Sequence, residues 1–335
     1  MSSTFFILFE KEPNKVKDVL NIFNNGYNRQ VILYGPPGTS KTHISTLIAY
    51  NFLAKNSDPD SIDTDIDKAN EYLKDKNGDY IKYYKIVQFH PSYNYEDFVR
   101  GITIDINEDS KTPIYKTDNK IFGKISEYAT ADKEKNYVLI IDEINRAPIA
   151  SVLGELIYGL EYRGQPISTP YEIKENSTLT IPENLYIIGT MNTADRSIGS
   201  IDYAVRRRFA FVPLLADEKI VTNSWKKKGL GNPEEKEESI ASNVVKLFDE
   251  VQDLIIENLA DISVQRDDIK IGHTYFLYDE KKCKGEKNAK KYMKYRIEYQ
   301  ILPILEEYIK DGLINDTGYN DKKTRWLELF GEKNS

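Results

Sequence analysis

Lys41 and Thr42 close the string GPPGTSKT at residues 35–42, which follows the apolar run Val31, Ile32, Leu33 and Tyr34 and precedes a helix-compatible stretch. A strand, a glycine-rich loop and a helix with Lys-Thr at the junction form the arrangement that cradles a phosphate chain. Glycines let backbone N–H groups turn inward around phosphate oxygens, and the helix N-terminus adds its partial positive charge. On this pattern Gly35, Pro36, Pro37, Gly38, Thr39, Ser40 and His43 surround the phosphates and Lys41 reaches the β and γ groups. Thr42 would offer a hydroxyl to Mg²⁺, a hard cation that prefers oxygen ligands. The implied substrate is a nucleoside triphosphate, GTP or ATP. Ser40 stands where the pattern has its last glycine. A position just inside the helix, with right-handed angles, would accept a small side chain there.

A second group lies at residues 137–147, YVLIIDEINRA, where two carboxylates end an apolar strand. Open α/β sheets bind their ligands at that end. Asp142 is placed to hold the Mg²⁺ shell and Glu143 to polarise the water that attacks the γ phosphate. Further on, IIGTMNTADRS at 187–197 ends another apolar strand with Asn192, a neutral amide able to position the same water. The Asn-Thr-Ala-Asp string superficially matches a guanine reader, but a loop this close to the γ phosphate lies far from the base. Arg206, Arg207 and Arg208 then cluster before a strand. Arginines stabilise charge on a transferring phosphoryl group, and side chains pointing outward would act on a neighbour's nucleotide.

These residues need a scaffold, and five apolar or aromatic runs supply one, at 31–34, 83–89, 137–141, 185–189 and 209–212. Alternating with helical stretches, they predict an α/β domain with a largely parallel sheet over residues 1–213. Val152, Leu153, Leu156, Ile157 and Leu160 predict one helix between the third and fourth runs, followed by a turn-rich segment that could form a hairpin. The acidic stretch 55–82 predicts a surface insertion. From Trp225 a polar linker with Gly and Pro leads into a mostly helical second domain, placed at 214–335. Val244, Phe248, Val251, Ile255 and Leu259 mark one amphipathic helix there, and Met293, Ile297, Ile301, Leu305 and Tyr308 another, with Pro303 as a start or kink.

The chain has 335 residues, 40% hydrophobic and 30% charged, enough to bury a substantial core. No apolar run approaches the roughly 18 residues that a membrane span needs, and the FFILF run at 5–9 lacks a basic leader, so no membrane partner and a cytoplasmic location are expected. One cysteine excludes an internal disulfide framework, and with three histidines it argues against structural zinc. A net charge of −7 disfavours indiscriminate nucleic-acid binding, so any DNA contact must be local. The lysine-rich run 281–291 reads as a solvated loop, and the E-x-K spacing of Glu280 and Lys282 as chance in a chain rich in both residues.

Taken in order, the phosphate loop, VQFHPSYNYEDFVRG at 87–101, IDEINRA, YIIGTMNTADRS, DYAVRRRF at 202–209 and IGHTYF at 271–276 resemble the McrB family, AAA+ motor subunits of the modified-cytosine restriction system. The resemblance spans roughly residues 15 to 310. It implies a five-stranded AAA+ core with strand order 5-1-4-3-2, a small helical lid and a homo-hexameric ring with nucleotides at subunit interfaces. It also implies DNA translocation and a McrC-like endonuclease partner whose stalk enters the ring. Carried onto this chain, Asp142 and Glu143 become the Walker B pair and Asn192 the first sensor. Arg207 and Arg208 become fingers acting in trans, with Arg196 near the interface and His273 as the lid's nucleotide sensor. Residues 88–98 resemble this branch's insertion in the second helix. The roughly 30 residues before the phosphate loop are too few for a DNA-reading domain, so recognition would need another chain or a lost region. MoxR-like chaperones share the D-E-I-N-R-A-P string and provide the alternative, a protein-remodelling ATPase; MNTADRS and RRRF favour the restriction family.

Overall fold

The computed structural model describes residues 13–55, 62–106, 111–194, 201–226, 229–231, 239–261 and 264–331. The apolar run at 5–9 and Arg196 lie outside them. The described strands, in chain order, are β1 (Gln30–Gly35), β2 (Tyr84–Gln88), β3 (Arg100–Ile106), β4 (Pro113–Asn119), β5 (Tyr137–Asp142), β6 (Pro166–Ile173), β7 (Asn176–Thr180), β8 (Leu185–Asn192) and β9 (Ala210–Pro213).

The five runs expected as strands form one sheet in the order β2-β5-β8-β1-β9, all parallel. Numbered along the chain, this is the order 5-1-4-3-2 read from the opposite edge. Their continuous apolar character follows from burial on both faces. Val31, Leu33, Val138 and Ile140 join a core with the helices Pro13–Asn24 and Lys41–Leu53 on one side. Ile32, Leu139, Ile141 and Ile187 join a second core on the other. The register pairs Gly35 with Asn192 and Gln88 with Asp142, so the polar residues that end these strands share one edge.

Two antiparallel hairpins, β3–β4 and β6–β7, project from this frame. Arg100 joins them, donating to Asn119 Oδ1 at the foot of one and to Thr169 Oγ1 and Thr178 O in the other at 2.8–2.9 Å. Between β5 and β6 the chain forms two short helices, Ile149–Leu153 and Leu156–Glu161, where one was expected. Gly154, at φ 50°, leaves the right-handed region and ends the first. The acidic insertion is not purely superficial either. Its helix Ile66–Tyr72 is capped by Asp65 and buries Ile66 and Ala69 in the same core as the phosphate-loop helix.

A separate core unites residues from Val221 to Phe330 on the helices Glu218–Trp225, Ile240–Glu257, Glu286–Arg296, Leu302–Lys310 and Tyr319–Leu329. Trp225, expected to open a polar linker, is fully buried, and its indole N–H donates to Phe276 O at 2.8 Å. A polar sequence follows it, but the tryptophan itself belongs to this core. The helix predicted through Met293 and Tyr308 widens over Ile297–Ile301, just before Pro303, whose missing N–H cannot continue the ordinary ladder. Among the described residues no helix is long and apolar enough to cross a membrane.

Candidate nucleotide-binding site

The loop between β1 and the helix Lys41–Leu53 borders a cleft of about 580 Å³, which Glu143, Thr190 and Asn192 also line. Lys41 is buried and donates to Gly35 O at 3.0 Å, Pro36 O at 2.7 Å and Thr39 Oγ1 at 3.3 Å. Burial lowers its ammonium to about 8, against the opposing pull of Glu143 and Asp142. The cation therefore sits on loop carbonyls where a phosphate could replace them. Ser40 departs from expectation: it lies outside the helix at φ 62°, ψ 23°, a left-handed conformation. The glycine of the usual pattern serves that angle, and serine adopts it here at a cost in strain.

Thr42 Oγ1 donates to Asp142 Oδ1 at 2.7 Å, across the gap between two elements 100 residues apart in sequence. Next to it the Asn192 amide donates to Glu143 Oε1 at 2.5 Å, and Arg146 Nε lies 3.3 Å from Glu143 Oε2. A hydroxyl and a carboxylate make an all-oxygen donor pair, which fits a hard divalent cation. Among the described residues no group of three or more His, Cys, Asp or Glu could hold a metal. A cation at Thr42 and Asp142 would complete its shell with phosphate and water oxygens, as Mg²⁺ does beside nucleotides.

The separate helical core bears directly on this loop. Gly272 N–H donates to Pro37 O and Thr274 N–H to Gly38 O, each at 3.0 Å. A Cβ on Gly272 would come within 2.1 Å of the Gly38 carbonyl, so the backbones touch with no room for a side chain. Thr193 Oγ1 adds a bond to Asp268 O at 2.7 Å. His273 is wholly buried and does not line the cleft, whereas its neighbour Thr274 does. Both His273 ring nitrogens lack a hydrogen-bond partner, and burial, with Lys41 nearby, lowers its pKa to about 3. His43 is likewise lowered by burial, to about 4.

The arginines expected as a pair differ. Arg208 turns inward: its side chain is 8% exposed, 2.5 Å from Glu161 Oε2, and it also donates to Ala204 O. Arg207 is 66% exposed and 3.6 Å from the same glutamate, so of these two it is the one that presents its guanidinium to the outside. Arg206 lies over the Phe211 ring at 5.2 Å.

Sequence reasoning missed Thr190, Thr274 and the insertion residues Asp67 and Asn70, which also border the cleft, and Arg146, which pairs with Glu143. Thr190 was discoverable, because residues two apart on a strand face the same way as Asn192 does. A wider groove of about 1510 Å³, between the helices Glu286–Arg296 and Tyr319–Leu329, shares no residue with this cleft.

A parallel sheet of this order, with a phosphate loop, an acidic strand end and a helical lid closing on the loop, defines a P-loop nucleoside triphosphatase of the AAA+ type. Residues 80–209 match the AAA domain of the dynein-related subfamily, and residues 243–315 match the McrB alpha-helical lid domain. The chain is 31% identical over 301 residues to the type IV methyl-directed restriction enzyme EcoKMcrB subunit of Escherichia coli strain K12, a match covering 88% of this chain and 57% of that protein. A shorter match, 31% over 113 residues, covers 29% of this chain and 33% of the type II restriction enzyme BsuMI component YdiS of Bacillus subtilis strain 168. The chain spans little more than half the length of the first relative and a third of the second. The chain belongs to the McrB-type AAA+ nucleoside triphosphatases.

Proposed function

We propose that this chain is the ring motor of a restriction system, coupling hydrolysis of GTP or ATP to DNA translocation and to activation of a McrC-like endonuclease. The observation that carries the reading is the pair of contacts at one cleft mouth, Thr42 to Asp142 at 2.7 Å and Asn192 to Glu143 at 2.5 Å. They gather phosphate loop, strand-end carboxylates and amide into a hydrolytic constellation. The names of the two relatives, both restriction components, support the choice of system.

In this reading Lys41 exchanges loop carbonyls for the β and γ phosphates, and backbone N–H groups of residues 38–42 hold the remaining oxygens. Thr42 and Asp142 would hold Mg²⁺, which when bound neutralises charge on the transferring phosphoryl group. Glu143 takes the proton of the attacking water, and Asn192 fixes the carboxylate that does so. Arg207 supplies positive charge to the pocket of an adjacent subunit, in a ring of six by family resemblance. Arg208, bound to Glu161, fixes the segment that carries Arg207. Thr274, joined to Gly38, lets the lid respond to the state of the phosphate loop.

The test combines rate and mass. Purified chain with Mg²⁺ should hydrolyse GTP or ATP slowly, grow in mass by light scattering only with nucleotide, and leave duplex DNA uncut until a McrC-like subunit is added. Cleavage of DNA by the chain alone would overturn the motor reading.

A further inference from the structure

Thr190 is 2% exposed, and its hydroxyl stands between the two carboxylate-bearing residues of the cleft. Its oxygen lies 2.6 Å from Asp142 Oδ1 and accepts the backbone N–H of Glu143 at 3.0 Å. A hydroxyl has one proton and two lone pairs. Because the Glu143 N–H occupies a lone pair, the proton is the atom left to face Asp142. The hydroxyl is thus fixed in direction by its two partners.

Glu143 adopts φ 54°, ψ 46°, a left-handed conformation that a residue with a Cβ enters only at a cost. That turn swings its side chain off the line of β5 toward Asn192, and the Thr190 hydroxyl is the group that receives the N–H the turn presents. The same hydroxyl holds Asp142 from its buried side, while Thr42 holds the same oxygen from the exposed side. Were Thr42 drawn toward a ligand, Thr190 would keep Asp142 in place.

We infer that Thr190 is a positioning residue for hydrolysis: through its hydroxyl it holds the Glu143 turn and the Asp142 carboxylate in the geometry that the reaction uses. The inference rests on the nucleoside-triphosphatase reading of this cleft and adds to it a residue that acts through its hold on Glu143 and Asp142. A displaced Glu143 would leave nucleotide binding intact, because the phosphates are held by the loop. It would slow turnover, because a misplacement of about 1 Å at a reacting group costs on the order of a hundredfold.

The experiment compares Thr190→Val, which keeps the shape and deletes the hydroxyl, with Thr190→Ser, which restores it. Turnover, KM, affinity for a non-hydrolysable nucleotide and hydrogen exchange of the peptide covering residues 142–146 are read for each, with Thr190→Ala available should the valine variant fold poorly. The expected result for valine is a kcat lower by about ten- to hundredfold, KM and affinity within about twofold, and faster exchange of that peptide in nucleotide-free protein. Serine should return both rate and protection. Parental turnover in the valine variant, or failure of serine to restore the rate in a folded protein, overturns the inference. Failure of the underlying reading looks different: the parental chain would then hydrolyse no nucleotide, or Glu143→Gln would match it.

Discussion

Asn192, the last residue of β8, and Glu143, the residue that follows the neighbouring strand β5, meet side chain to side chain, the amide of one donating to Oε1 of the other at 2.5 Å. The amide fixes the direction of the carboxylate through one oxygen, while Arg146 lies 3.3 Å from the other. Replacing Glu143 by Gln keeps the size and the possibility of a bond to Asn192 but removes the proton acceptor. Turnover should fall by about a hundredfold or more while nucleotide affinity stays within about threefold, because the carboxylate acts on water and not on the ground-state phosphates. Steady-state hydrolysis beside fluorescent-nucleotide titration separates the two quantities. An unchanged rate would remove Glu143 from the reaction.

Lys41 gives a prediction with opposite signs for binding and folding. Its ammonium is lowered from 10.5 to about 8 by burial. Above pH 8 the free protein increasingly holds a neutral lysine, which attracts phosphate less, so affinity at pH 9 should be about tenfold weaker than at pH 7. Folding responds in the other direction. Between pH 8 and 10.5 the unfolded chain still binds the proton that the folded one has released, so the Lys41 contribution to stability rises with pH. Lys41→Met should flatten both trends, as nucleotide titration and urea unfolding at pH 7, 8 and 9 would show.

Much of this site was legible because its residues end apolar runs. The five strands announce themselves by continuous β-branched and aromatic stretches, and parallel pairing then gathers Gly35, Asp142 and Asn192 at one edge. What could not be read was set by distant partners or by one residue of register. Whether Arg207 or Arg208 turns outward depends on Glu161, 47 residues from Arg208. Ser40 falls just before the helix and not within it, which changes its backbone angles from ordinary to left-handed. His273 reads as a nucleotide sensor from its motif, yet the contact of Gly272 with Gly38 buries it and leaves Thr274 at the cleft.

Ser40 is strained and carries a buried hydroxyl without a hydrogen-bond partner. Glycine would relieve the left-handed cost of about 1–2 kcal/mol and return part of it through greater freedom of the unfolded chain. Ser40→Gly should therefore stabilise the nucleotide-free protein by about 1 kcal/mol, a rise in Tm of about 2–4 °C. Differential scanning fluorimetry measures this. A lower Tm would mean that the serine side chain stabilises the fold by more than its backbone strain costs.

His43 and His273 make the fold sensitive to acid. Burial holds them near 4 and near 3, far below the ordinary 6.5, so the folded chain refuses protons that the unfolded chain accepts. Their contribution is fully present above pH 6.5 and shrinks as pH falls toward those lowered values. At pH 5 each should have cost on the order of 2 kcal/mol of stability. Urea midpoints at pH 7, 6 and 5 should fall steadily, and His273→Gln, which has no proton to accept in this range, should show a shallower fall. A pH dependence identical to the parent would mean that His273 reaches protonation without disturbing its surroundings.

Arg207 and Arg208 should separate under substitution because one is presented outward and the other is bound inward. Arg208→Ala removes a guanidinium that is 8% exposed from Glu161, which is itself 40% exposed, so part of the lost ion pair is recovered by solvent. The expected loss is about 1–2 kcal/mol of stability, seen as a lower Tm of the isolated chain. Arg207, at 66% exposure, should leave Tm unchanged when replaced by Ala. Its effect should appear only in the assembled state, as hydrolysis lost while nucleotide affinity persists. Mixing Arg207→Ala subunits with Lys41→Ala subunits then distinguishes action in trans from action in cis. In trans, an interface joining the intact pocket of one variant to the intact Arg207 of the other should restore part of the activity. In cis, no interface in the mixture is complete, and assemblies that form at full mass yet hydrolyse nothing would assign Arg207 to its own pocket.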